Sequence, residues 1–267
     1  MIANFKPTLW AARLQANLDK TLVFRGLVNT DYEGEVKVGG TVKINRPGRI
    51  TVSAYEGSVA YQAPTSTQQT LAISKDEYFA FAVDDLDRVQ ANVNLVDTYT
   101  QEAAYSLGQN IDADIAGLYV DAGAGSVIAL TLASGDYYDA LVEAGMQLDK
   151  NSVPRAGRWH VTSPEGYAAL LKNDKFIHAT AQGDAVVASG FVGQAAGFRI
   201  IVSNNLVVAT GTKSLFGTNA AISFAQALEG NPEALRLQGQ FGDGVRGRVA
   251  WGRKVIEPKA LGVINLT

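Results

Sequence analysis

The sequence predicts an α+β fold, and three observations predict it: strand and helix periodicities alternate along the chain, one helical stripe is unusually long, and a long hairpin carries few apolar residues at its tip. At 267 residues with 47% hydrophobic content, the chain can fill a real core. A net charge of −3 supplies no whole-chain positive field, so tight direct DNA binding is not expected. The absence of cysteine removes disulfides, thiolate metal sites and cysteine nucleophiles, and two histidines leave little for a metal.

The first segment, MIANFKPTLWAARLQANLDK, has no basic start, apolar run and small-residue cleavage site, and is read as the start of the mature chain rather than a signal peptide. Within it Trp10, Leu14 and Leu18 recur at helical spacing behind Thr8, which predicts a short amphipathic arm. The arm lacks the rich Lys/Arg face of a membrane-surface helix, so packing beneath a neighbour is the expectation. In the next segment Val42 and Ile44, then Leu71 and Ile73, alternate with polar residues as in two half-buried strands. Between them lies a polar tip with Arg46, Arg49, Tyr55, Glu56 and Tyr61. Such a tip must be covered by something else or stand in solvent.

From about residue 94 to 119, Tyr99, Ala103, Leu107, Ile111, Ile115 and Leu118 mark one helical stripe. At 1.5 Å per residue that is a rod of about 37 Å, a structural axis. DAGAGS ends it, and Asp121 with the glycines argues against a membrane span here. A helix follows at about 136–150 with Tyr138, Leu141, Val142 and Leu148 inward, then the strand RWHVTS, a helix from Pro164 through Leu171, and strands in GFRIIVSNNL and KSLFGT. ALRLQGQF and RVAWGRKVIEP read as closing strands, with GDG as the turn between them.

Several patterns resemble chemical sites. His160 and Ser163 could suggest a hydrolase, but no G-x-S-x-G occurs, and residues three apart on a strand face opposite ways. The better reading is a strand histidine, with Ser163 capping the helix that Pro164 opens. GDGVRG (242–247) spells G-x-G-x-x-G, yet strand-like sequence follows it where a dinucleotide site needs a helix. DDLD (84–87) and DADI (112–115) lack the spacing of a calcium loop and are read as solvated turn and helix faces. No catalytic, metal-binding or cofactor-binding residue is assigned.

The order and wording of these parts resemble a tailed-bacteriophage major capsid (coat) protein of the Hong Kong 97-like fold, P22-type coat protein branch. PTLWAARLQANLDKTLVFRGLVNTDYEGEVKVGGTVKI looks like the arm and first extended-loop strand. NSVPRAGRWHVTSPEGYAALLKNDKFI and GFVGQAAGFRIIVSNNL are similar to the axial-domain pattern, and FGDGVRGRVAWGRKVIEPKAL to the closing peripheral strands. The resemblance implies an N-terminal arm (1–32), an extended loop (33–83), a peripheral domain with a spine helix (84–124), an axial domain (125–230) and a return to the peripheral domain (231–267).

It further implies self-assembly into pentamers and hexamers of an icosahedral head enclosing double-stranded DNA. The implied partners are copies of the chain, a scaffolding protein, a portal and a decoration protein, with only weak non-specific contact to packaged DNA and none to a membrane. The location would be the virion, after assembly in the host cytoplasm. Arg46, Arg49, Tyr55, Glu56 and Tyr61 on the loop, and Trp10, Leu14 and Leu18 on the arm, are the candidate inter-subunit residues. Some members of the family join a loop lysine to an asparagine of another subunit; here the tip carries Arg46 and Arg49, while Lys37, Lys43 and Lys75 lie lower on the arms. The alternatives are a cargo-loaded nanocompartment shell of the same fold, or a hydrolase using His160.

Overall fold

A computed structural model of the chain describes residues 22–32, 40–48, 50–52, 54–55, 57, 61–63, 65–84, 95–133, 136–173, 193–227, 233–237, 239 and 241–267. After a short 3-10 helix at Phe24–Leu27, strands β1 (Thr41–Pro47) and β2 (Ser66–Ala72) form an antiparallel hairpin, in register from Thr41↔Ala72 to Pro47↔Ser66. The chain then leaves the hairpin as β3 (Lys75–Asp84). Helix α1 (Leu95–Ala116) runs on into a 3-10 turn at Gly117–Asp121, and β4 (Ile128–Leu130) follows. Helix α2 (Tyr137–Lys150), strand β5 (Arg158–Thr162) and helix α3 (Pro164–Leu171) come next. The strands β6 (Gln194–Ala195), β7 (Phe198–Val202), β8 (Val208–Ala209), β9 (Gly211–Thr218), β10 (Ile222–Ala227), β11 (Glu233–Arg236), β12 (Gly242–Val255) and β13 (Leu261–Leu266) follow, with a 3-10 turn at Pro258–Ala260 between the last two.

The helix ends follow the expected chemistry. Asp136 caps α2, accepting from the Tyr138 N–H at 2.9 Å, and Ser163 caps α3, accepting from the Gly166 N–H at 3.3 Å, with Pro164 in the first helical position. Among the described residues no helix is long and apolar enough to cross a membrane.

Two sheets share α1. In the smaller, β12 is the axis: β3 pairs along one edge over Asp84↔Gly242 to Lys75↔Trp251, while β10 and β11 divide the other edge. In the larger the order is β4-β13-β9-β5-β7-β6, with β8 on β9 and parallel pairs at β4/β13 and β5/β7. The main core lies where they meet α1: Leu107, Ile111 and Ile115 pack with Phe24, Trp159, Leu215, Phe224, Trp251 and Val263. A second core fills the other face of the larger sheet, under Tyr137, Leu141 and Leu148 of α2. A third holds the hairpin base, where Val42, Ile44, Leu71 and Ile73 sit on Ala225 and Ala250.

Four sequence expectations need correction. The α1 stripe begins one residue late: Thr100 and Ala104 are buried, whereas Tyr99 is half exposed against Phe81 and Ala103 lies at the margin. A strict spacing of four drifts off a 3.6-residue helix, so a run fitted to Ile111 misses the core at its far end. On α2 the inward residues are Tyr137, Ala140, Leu141, Ala144 and Leu148, and Val142 points outward.

GDGVRG is strand, not turn: the reversal lies at 237–241, where Gly239 has φ +92° and the Leu237 N–H bonds the Gly242 carbonyl at 3.1 Å. Those glycines make room, since a Cβ on Gly247 would fall 2.5 Å from the Phe79 ring. Finally, Asp112 is no solvated residue. It is fully buried on α1, where its carboxylate accepts from the Val23 and Phe24 N–H groups at 3.0 and 3.2 Å. Burial pushes its carboxyl up, against the pull of those two N–H groups and the Asn205 side chain.

Asp112→Ala strands both N–H groups without an acceptor in a dry setting. It should lose about 2–3 kcal/mol of stability, and Asp112→Asn, which keeps one oxygen, should lose less. Thermal melts of the two variants beside the parent check the order.

Candidate subunit interfaces

The hairpin has two ends with opposite physics. Its base is held by the third core, but past Pro47 the two arms are joined, among the described residues, by the Gly48 N–H to the Thr65 carbonyl at 2.7 Å and the Thr51 N–H to Gln62 Oε1 at 3.2 Å. Beyond that, Ile50, Val52, Tyr55 and Tyr61 are 71%, 94%, 76% and 96% exposed. Tyr55 and Tyr61 are thus on the surface, as the sequence suggests. Ile50 and Val52 were missed, although two β-branched apolar residues in a polar stretch were a usable signal. Arg46 pairs through its backbone with Thr67, and its side chain lies outside the described residues. Arg49 and Glu56 lie outside them as well, as do Trp10, Leu14 and Leu18.

Asp114, also assigned to a solvated face by the sequence, is a third correction on α1. Its carboxylate accepts from Arg253 Nε and Nη2 at 2.5 and 2.6 Å and from Trp251 Nε1 at 3.1 Å, with Lys75 Nζ 3.7 Å away. Burial opposes its ionisation, yet Arg253, Trp251 and Lys75 together hold the carboxyl below its usual range. The network ties α1 to β12 and to the start of β3. It also occupies Lys75. Among the described residues no group of three His, Asp or Glu side chains could hold a metal.

His160 is fully buried on the α2 side of β5, where the Tyr137 hydroxyl shares hydrogen bonds with His160 Nε2 at 2.9 Å and with Thr162 Oγ1. Burial pushes the imidazole down to about 3, against a smaller opposing pull from the Leu215 backbone, and pushes the Tyr137 phenol up to about 12. Both groups are neutral at pH 7. Ser163 is engaged as the α3 cap, so the structure does not bring the two together as nucleophile and base.

A two-sheet body sharing one long helix, with a hairpin that carries its apolar tip clear of every core, is the form of a subunit that completes its packing in an assembly. Residues 68–264 match the family model described as phage capsid protein, and the chain belongs to that family. It is a shell-forming capsid protein of the phage head. Its fold is similar to that of the solved structure from Mycobacterium phage Che8, at 31% identity over 91% of each chain and a TM-score of 0.77. At the level of fold alone, it is also similar to the capsid of cyanophage P-SCSP1u (17% identity, 90% of this chain and 86% of that one, TM-score 0.73). The same holds for the virus-like particle from Pyrococcus furiosus (15% identity, 97% and 98%, TM-score 0.61). A sequence search of curated proteins returned no match.

The low affinity of folded His160 for protons has a signed consequence. Its unfolded value is 6.5, so below that pH the unfolded chain binds a proton that the folded chain refuses. Stability is full above about pH 6.5 and should fall by about 1.4 kcal/mol per unit as pH drops toward 3. Chemical denaturation of unassembled His160→Asn subunits, compared with the parent between pH 6 and 4, should show a slope smaller by one proton.

Proposed function

We propose that the chain builds the pentamers and hexamers of an icosahedral head that encloses double-stranded DNA, each hairpin tip lying over a neighbouring subunit. The observation that carries this reading is the tip itself, where two tyrosines and two β-branched side chains stand in solvent on an anchored stalk. Such side chains contribute interface energy once a partner excludes water, and contribute little while exposed. A scaffolding protein, a portal and a decoration protein are the assembly partners in this reading, with assembly in the host cytoplasm. Contact with packaged DNA is weak and non-specific, in keeping with a net charge of −3.

The chain acts by packing and not by catalysis. A neutral, buried His160 and a serine used as a helix cap support this. The alternative of a cargo-loaded nanocompartment is supported only by likeness of fold to the Pyrococcus furiosus particle. Micrographs of purified particles, DNA-filled heads against protein-filled shells, separate the two.

Replacing residues 48–65 by a two-residue Asn-Gly turn keeps the Pro47↔Ser66 pair and all three cores. The product should melt cooperatively within a few degrees of the parent, yet sediment as monomers or small rings where the parent forms shells. Normal shells would overturn the role of the tip, and an unfolded product would place the hairpin within the folding core.

Subunits in the shell should remain chemically separate. The tip carries arginine, whose guanidinium stays protonated and is a poor nucleophile, and Lys75 is engaged by Asp114. Boiled, denatured shells should run as single chains of 28.3 kDa, and a ladder of multiples would refute this.

A further inference from the structure

The larger sheet presents two unlike surfaces on its opposite faces. On one, α2 turns its apolar residues into the second core and leaves Val142 and Met146 outside, 50% and 45% exposed. Glu143 lies between them, exposed and without an ion pair among the described residues. Two apolar side chains one turn apart beside an unpaired carboxylate, on a helix whose other side is fully packed, make a compact contact patch. Met146 is one of only two methionines in the chain.

On the other face, Arg199 of β7 pairs in parallel with Trp159 of β5. Its neighbours Phe198 and Ile200 enter the second core, so strand alternation sends Arg199 to the side away from α2. Arg199 is exposed and holds no ion pair among the described residues. It lines a pocket of about 420 Å³ with Arg155, Arg158 and Trp159, and among the described residues no acidic one lines it. Arg158 is consumed internally, by Asp149 and three backbone carbonyls, and Arg155 shares Asp149. Among the described residues that leaves Arg199 as the pocket's uncompensated cation, beside a buried Trp159 indole N–H with no acceptor among them.

We infer that these two surfaces are the halves of one head-to-tail contact, in which Glu143 of one copy, flanked by Val142 and Met146, enters the Arg199 pocket of the next. The occupant is a second copy because each surface supplies the charge the other lacks, and because they lie on opposite faces of one sheet. A patch that meets a different patch on an identical molecule generates a ring when the rotation closes. Desolvation as the apolar flanks close makes the Glu–Arg pair count for more than it would in water. This rests on the shell-subunit reading above and adds to it the residues that join neighbours within a ring.

Charge reversal in the full-length chain tests the pairing. Arg199→Glu and Glu143→Arg should each lower the yield of sedimenting shells at least tenfold while melting like the parent, and the double reversal should restore shells. Shells from either single variant at the parent's yield would overturn the contact. So would a double variant that melts like the parent but assembles no better than the singles.

A retention assay reads the contact without shell closure. Tagged Arg199→Glu protein should hold untagged Glu143→Arg protein at least tenfold better than it holds an untagged copy of itself, and equal retention would overturn the inference. A parent chain that forms no shells under any condition would instead sink the capsid reading on which the contact rests.

Discussion

The Asp112 carboxylate, buried at the middle of the fold, is where separate parts of this subunit are held to one another. It sits on the long helix, receives the N–H groups of Val23 and Phe24, and is reached by the Asn205 side chain from the loop between β7 and β8. With those donors satisfied, Phe24 can lie edge-on to Trp159 at 6.4 Å in the main core, and Asn29 can bridge to β10. A buried carboxylate is tolerable because donors surround it, and their loss would leave a costly group in a dry place. Asp114 does the same for the four-stranded sheet through Arg253 and Trp251. Two residues apart and so on different sides of α1, the two acidic anchors each serve a different partner.

With the body held in this way, the hairpin can be rigid at one end and unsupported at the other. Val42, Ile44, Leu71 and Ile73 are buried within the chain, so the stalk needs no partner. Among the described residues nothing covers Ile50, Val52, Tyr55 or Tyr61 at the tip. The same division appears in α2, whose inner face completes a core while Val142 and Met146 remain in water. A monomeric protein gains nothing from such exposure, whereas a shell subunit needs surfaces that only a neighbour can dry.

The polar residues that look most like chemistry serve packing. His160 Nε2, Tyr137 and Thr162 are joined by hydrogen bonds between β5 and α2, and Gly166 has no room for a side chain because Thr162 and Tyr137 stand against it. A neutral imidazole held in this way fixes how strand and helix meet.

By itself the sequence determined the α+β class, the two half-buried hairpin strands, the long helix, the cap at Ser163, and the family resemblance, because each is written in local periodicity or in a short run of residues. The exposure of Tyr55 and Tyr61 was legible for the same reason. Tertiary structure alone decided that Asp112 and Asp114 are buried, since burial depends on Val23, Phe24, Trp251 and Arg253, which lie about 90 or more residues away in the chain. It also decided that GDGVRG is strand, because the Phe79 ring over Gly247 comes from a distant partner strand. The face taken by Arg199 follows from which side of β7 meets the second core, and the outward turn of Val142 from how α2 rotates against that core. A one-residue rotation moves a side chain by about 100°, and no local pattern resolves that.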